Sequence, residues 1–169
     1  MKIYTKKGDS GVTGLLHGIR VPKSEAVVGA LGDLDELNAC LGWVVAAGQA
    51  APVREIVVQI QGALFQVGAE VAGGSPSPYA GLVEALETDI DRMELALPTL
   101  ENFILPGGSE AGSRLHLARA VCRRAERSVS QFVQEDGRKL LNRFSDWLFV
   151  AARTANHTAG QNETLWKSQ

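Results

Sequence analysis

Arg119, Arg123 and Arg127 recur every four residues, a spacing that sets three guanidinium groups along one edge of a helix. Glu126 falls between that edge and the apolar side, while Arg124 points away. Like charges four apart cost a helix about 0.2–0.5 kcal/mol per pair, and a solvated face more often alternates sign. Two explanations fit the spacing. The arginines pair with carboxylates of another helix, such as Asp33, Asp35 or Glu36, or the edge faces a polyanion, since guanidinium binds phosphate oxygens in a bidentate and directional way. Both can hold at once.

A second candidate lies at the N-terminal end, in Thr5-Lys6-Lys7-Gly8-Asp9-Ser10-Gly11-Val12-Thr13-Gly14. Glycines let backbone N–H groups converge on phosphate oxygens, Thr5 and Thr13 add hydroxyls, and Lys6 and Lys23 add charge. The P-loop pattern is missing and no strand is expected before it. Composition alone favours a flexible glycine-rich loop over an anion cradle.

Asn142, Ser145 and Asp146 stand just off another apolar stripe. Asn142 suits either contact with a nucleotide or ribose, or capping of a helix. Asp146 suits an ion pair with Arg143 or Arg153, or a place near a metal-bound phosphate. A di-iron carboxylate site needs Glu-x-x-His pairs, yet Gly14, Ser113 and Thr154 stand three before His17, His116 and His157. The histidines therefore read as surface or packing residues. Cys40 and Cys122 lie in helical apolar periodicity and read as small buried hydrophobes, with no zinc-ligand spacing and no disulfide framework. No metal ligands are assigned among the side chains.

Helices must position these groups. Residues 1–23 form a loop-like arm punctuated by Gly8, Gly11, Gly14 and Gly18 and closed by Pro22. A first apolar ladder is Val27, Leu31, Leu34, Leu41 and Val45, with Asn38 completing the spacing. A second helix is expected over 53–72 and a third over 81–96, each stopped by glycine or proline. The stretch Asn102 to Gly108 is too short and too punctuated for a helix, and reads as a structured loop with an apolar middle.

The fourth helix carries Leu115, Ala118, Cys122, Ala125, Val129 and Phe132, and the fifth carries Leu141, Phe144, Leu148, Ala151 and Ala155. Asp136-Gly137 is read as the turn between them. The expected fold is all-α: a five-helix antiparallel bundle over 24–159 with the glycine-rich arm over 1–23 and a C-terminal tail over 160–169, together a single domain. No convincing β-ladder is visible.

With 169 residues, 45% hydrophobic content and a formal net charge of −2, bulk electrostatics point to neither nucleic acid nor membrane. No apolar run approaches the length of a membrane span. The first residues lack a signal or transit pattern, so a cytoplasmic location is expected.

Six blocks, taken in order, are similar to the PduO-type ATP:cob(I)alamin adenosyltransferases. They are Tyr4 to Gly11, Arg20-Val21-Pro22-Lys23, Gly32 to Asn38, Phe103 to Gly108, Arg119 to Arg127, and Leu141 to Asp146. The resemblance covers nearly the whole chain. It implies a cobalamin adenosyltransferase-like, ferritin-like five-helix bundle assembled as a homotrimer with active sites between subunits. It also implies transfer of the 5′-deoxyadenosyl group of ATP to cob(I)alamin, with Mg²⁺ bound mainly through the ATP phosphates. A non-catalytic ATP- or cobalamin-binding carrier or regulator on the same scaffold is the alternative. A flavoprotein reductase and an adenosylcobalamin-dependent enzyme are the partners it suggests.

Carried over residue by residue, the resemblance places ATP on Thr5, Lys6, Lys7, Gly8, Thr13, Gly14 and Lys23 of one subunit. Arg123, Arg124, Ala125, Glu126, Arg127 and Asn142 of the next would complete the site. Asp35 would pair with Arg119 across the interface, and Phe103 would press on the cobalamin face and displace its lower ligand. Phe103, Asp35, Arg119, Arg123 and Glu126 are thus the expected catalytic set. The chain departs from the family's commoner residues at Lys7, Ser10 and Gly14, where backbone contacts are expected to remain, and at Leu15 to Gly18, where His17 has no assigned role.

Overall fold

Apolar residues spaced three and four apart become five helices in the computed structural model, which describes residues 2–48 and 51–167. They are α1 (Ala26–Val45), α2 (Ala51–Val71), α3 (Ala80–Glu94), α4 (Glu110–Val129) and α5 (Glu135–Thr158). The main packings run α2 on α1, α1 on α4, α4 on α5 and α5 on α3. A single buried cluster draws residues from every helix. Among the described residues no helix is long and apolar enough to cross a membrane.

The ladders of α4 and α5 emerge as read except at their ends, where Phe132 lies beyond α4 and both it and Ala155 are only partly buried. Leu115, Ala118, Cys122, Ala125 and Val129 are buried, as are Leu141, Phe144, Leu148 and Ala151. The ladder of α1 holds at Leu34 and Leu41 and is displaced by one residue at Leu31, Asn38 and Val45. Ala30, Leu34, Leu37, Leu41 and Val44 are buried, whereas Val27, Leu31 and Val45 are only partly covered. The cause is that α1 packs on two helices at once, so its apolar surface is wider than one stripe. Asn38 works at that second face, where its carbonyl accepts from Gln61 Nε2 at 3.1 Å.

Two expectations are corrected. The arm contains a short antiparallel ladder, β1 (Val12–Gly14) paired with β2 (Arg20–Pro22), with Thr13 opposite Val21. Strands of three residues are too short to display alternation. Asp136-Gly137 is not the turn between α4 and α5 but sits in the first turn of α5, and the reversal falls at residues 130–134. The buried Glu70 acts as a remote cap there, its Oε1 accepting from the Gln134 N–H at 2.6 Å. Glu135 and Asp136 add the negative charge that suits a helix N-terminus. Gly137 admits Val133 and Glu70, which a Cβ would meet at 3.3 and 3.5 Å.

Trp147 fixes α5 against α3. Its ring is fully buried and stacked on Phe144 at 5.7 Å, and its indole N–H donates to Asp89 Oδ2 at 2.7 Å. Asp89→Ala should therefore leave a buried donor unpaired and lower the unfolding free energy by about 1–3 kcal/mol. Urea unfolding measures this, and a change under about 0.5 kcal/mol would mean that water takes the acceptor's place.

Candidate active site

The carboxylate pairing weighed for the arginines occurs, but off their shared edge. Arg124 donates from Nε to Asp33 Oδ1 at 3.1 Å and also pairs with Glu36, tying α4 to α1. Arg119 lies with its guanidinium 5.1 Å from the centre of the Phe149 ring. Arg123 and Arg127 are exposed and make no ion pair among the described residues. Two guanidiniums thus keep their donors free for an anion.

Glu126 stands beside that edge and accepts from Asn142 Nδ2 at 3.2 Å. Asn142 is in the body of α5 and caps nothing, so its amide is held out toward the arginine edge by Glu126. Ala125 is fully buried and offers a ligand no side chain. Asp146 pairs with Arg143 at 3.5 Å rather than with Arg153.

The arm is a built turn. Lys23 N–H donates to the Gly11 carbonyl at 2.8 Å, and Arg20 Nη2 donates to the Lys7 carbonyl at 2.8 Å. Gly11 holds a φ of +79°, and Lys6 adopts +59°, a conformation uncommon for a residue with a side chain. The Lys23 ammonium lies so close to Gly8 that a Cβ there would sit 3.3 Å from Nζ. Thr5 Oγ1 accepts from the Lys7 N–H at 3.4 Å. The arm therefore gathers Thr5, Lys6, Lys7, Gly8 and Lys23 near one turn, with Thr13 and Gly14 on the adjoining β1.

No hydrogen bond or ion pair among the described residues ties the arm to the arginine edge of its own chain, and the arm approaches the bundle where Leu16 meets Gly74 beyond α2. Asp35 is likewise exposed and has no ion-pair partner of its own chain among the described residues. It borders a groove with Leu31, Leu34, Asn38, Leu64 and Phe65, the last 74% exposed.

Phe103 is 80% exposed, on the loop between α3 and α4. Sequence reasoning missed its neighbour, Trp166, whose ring meets Phe103 edge-on at 6.4 Å between centroids. Backbone pairing sets the two together: Trp166 N–H donates to the Phe103 carbonyl at 2.7 Å, and Leu105 N–H to the Thr164 carbonyl at 2.8 Å. They border an open groove of about 630 Å³ with Leu100, Glu101, Asn102 and Lys167. A lone tryptophan in a polar tail was the signal available.

The remaining ionisable groups are poor reagents. Burial pushes the Cys122 and Cys40 thiols up, away from thiolate. His116 is buried against Phe149, both ring nitrogens lack a partner among the described residues, and burial together with the Arg119 charge lowers its pKa below the ordinary 6.5. A depressed base binds fewer protons folded than unfolded, so its contribution is full above pH 6.5 and fades as pH falls through its folded value. Wild-type stability should accordingly drop more than that of His116→Leu between neutral and mildly acidic pH. Parallel pH profiles of urea midpoints would refute this.

Comparison with known proteins places these features in context. The cobalamin adenosyltransferase family model matches residues 3–155. The chain is 42% identical to the corrinoid adenosyltransferase PduO of Citrobacter freundii, aligning over 99% of this chain but 53% of that protein, so it spans about half its length. It is 39% identical to a cobalamin adenosyltransferase of Cupriavidus metallidurans, over 99% of this chain and 95% of that one. A solved variant of the PduO-type ATP:corrinoid adenosyltransferase of Lactobacillus reuteri, complexed with cobalamin and ATP, superposes with a TM-score of 0.91 at 32% identity. That superposition covers 99% of this chain and 97% of the other.

Proposed function

The chain belongs to the cobalamin adenosyltransferase family, and we propose that it transfers the 5′-deoxyadenosyl group of ATP to the cobalt of cob(I)alamin, forming adenosylcobalamin and inorganic triphosphate. The observation that carries the residue assignment is the pair of exposed, unpaired guanidiniums of Arg123 and Arg127 beside the Asn142–Glu126 hydrogen bond. That edge has the charge and the directional donors a triphosphate needs.

In this reading the cobalt electron pair attacks C5′, the C5′–O5′ bond breaks, and triphosphate leaves with the bonding pair. Cobalt is the nucleophile, so no protein base is needed. What the chain supplies is alignment of C5′ with cobalt, positive charge around the leaving triphosphate, and shelter of Co(I) from water. Arg123 and Arg127 hold the triphosphate, Asn142 and Glu126 orient the nucleoside, and the turn of Thr5, Lys6, Lys7, Gly8 and Lys23 covers the phosphates. Phe103 and Trp166 press on the lower cobalamin face. With the lower ligand gone, cob(II)alamin is easier to reduce.

Among the described residues no three His, Cys, Asp or Glu side chains converge on a metal position. A Mg²⁺ ion would be held mainly through the triphosphate oxygens, with the threonine hydroxyls of the arm available to it, and its chemistry would be charge neutralisation of the leaving group.

We infer that the working form is a homotrimer in which the arm of one subunit meets the arginine edge of the next. Support comes from the lack of any hydrogen bond or ion pair between the two halves among the described residues, from Asp35 having no ion pair among them, and from exposed Phe65 beside it. Asp35 then pairs with Arg119 of the neighbour. A cytoplasmic location, a flavoprotein reductase as electron donor and an adenosylcobalamin-dependent enzyme as recipient complete the proposal.

The deciding experiment is anaerobic. With ATP, Mg²⁺ and chemically reduced cobalamin, the light-sensitive spectrum of adenosylcobalamin should appear together with equimolar triphosphate. Tight ATP binding without either product would instead establish a carrier or regulator.

A further inference from the structure

Phe103 is 80% and Trp166 53% exposed, so burial of their own side chains does little to hold them in place. Their positions depend on the backbone of two irregular segments, the loop before α4 and the tail after α5. Two buried polar residues on the last turns of α5 secure both. Arg153 and Asn156 are three apart, share one edge of the helix, and are 4% and 3% exposed. Neither is used by the proposed chemistry.

Arg153 grips two segments at once. Its Nε donates to Glu163 Oε1 at 2.8 Å and its Nη2 to Glu163 Oε2 at 3.2 Å, a two-point pairing of guanidinium with carboxylate. The same Nη2 donates to the Pro98 carbonyl at 2.8 Å, at the end of α3 where the Phe103 loop begins. Glu163 immediately precedes Thr164, the residue whose carbonyl takes the Leu105 N–H.

Asn156 secures the other end of the loop. Its Nδ2 donates to the Gly107 carbonyl at 2.8 Å, while its Oδ1 accepts from the Ser109 N–H at 2.8 Å and Ser109 Oγ at 2.9 Å. Gly108 and Gly112 lack side chains where Asn156 enters. A Cβ on either would fall 2.4 or 2.1 Å from Asn156 Oδ1.

We propose that Arg153, through Glu163, and Asn156 are positioning residues for the aromatic pair, setting where Phe103 and Trp166 meet the corrinoid. They touch no substrate. The loop is held at both ends from α5 and stitched at its middle to a tail held from the same helix edge. An anchor of this kind governs the cobalamin side of the reaction and leaves the arginine edge that takes ATP alone. The inference rests on the assignment of Phe103 and Trp166 to the cobalamin face.

Glu163→Ala is the main test, because Glu163 lies on the tail rather than in the core. Glu163→Gln, which keeps one acceptor oxygen, gives a graded comparison. Amide exchange at Leu105 and Trp166 should accelerate in Glu163→Ala. The fraction of bound cob(II)alamin lacking its lower ligand should fall, and kcat/KM for cobalamin should drop on the order of 10- to 100-fold. KM for ATP should stay near wild type, the thermal midpoint should fall because the buried Arg153 loses its carboxylate, and Glu163→Gln should fall between.

Wild-type exchange and wild-type cobalamin kinetics would overturn the anchor. Equal rises in the KM values for cobalamin and for ATP would also overturn it, marking a general role in folding. If exchange accelerates but the cobalamin spectrum does not change, Phe103→Ala decides which claim fails. A shifted spectrum in Phe103→Ala would sink the anchor alone, and an unshifted one would sink the assignment of Phe103 with the inference built on it.

Discussion

Arg123→Ala is expected to lower kcat/KM for adenosyl transfer on the order of 10²- to 10³-fold, the cost of removing one preorganised charged donor from a developing anion. Arg124→Ala should cost much less. The two side chains leave α4 about 100° apart, and only Arg124 is engaged with α1 through Asp33 and Glu36. Its loss removes an exposed ion pair, a contact of the sort that contributes about 1 kcal/mol or less. Steady-state kinetics with ATP varied at saturating reduced cobalamin compares the variants directly. Equal losses would contradict the helical-edge arrangement and place Arg124 on the nucleotide as well.

The comparison also separates what periodicity discloses from what it hides. Leu115 to Val129 and Leu141 to Ala151 were legible because α4 and α5 each bury one strong stripe that repeats every three or four residues. In α1 the same periodicity picks Leu31 and Asn38 over Ala30 and Leu37, since a helix packed on two neighbours has no single stripe to find. Gly137 looked like a turn residue, yet it serves close packing of Val133 and Glu70 on the first turn of α5.

The site was legible in proportion to its regularity. Arg119, Arg123 and Arg127 stood out by spacing, and Glu126 beside them. Their sorting into paired Arg124, stacked Arg119 and free Arg123 and Arg127 required knowing which helix lies alongside. Phe103 and the arm residues carried meaning only through the family resemblance. Trp166 had neither period nor motif, and its role follows from a pairing across 63 positions that no local pattern encodes. Arg153, one candidate partner for Asp146, turned out to serve Glu163.

Phe103→Ala should show the second large effect, and of a different kind. Phe103 is 80% exposed, so its removal costs the folded chain little packing. Covering such a ring is worth about 1.5–3 kcal/mol, and at about 1.4 kcal/mol per factor of ten its loss should lower the cobalamin-dependent rate by roughly 10- to 100-fold. Thermal stability and KM for ATP should hardly move. The spectrum of bound cob(II)alamin should shift toward the form that retains its lower ligand. Trp166→Ala should act in the same direction, because the edge-on contact at 6.4 Å makes the two rings one surface. The double variant then loses less than the sum of the single losses, as expected for residues sharing one contact. Strict additivity in kcat/KM for cobalamin would mean the rings act separately, and an unchanged spectrum in both single variants would remove the lower face of cobalamin from this loop altogether.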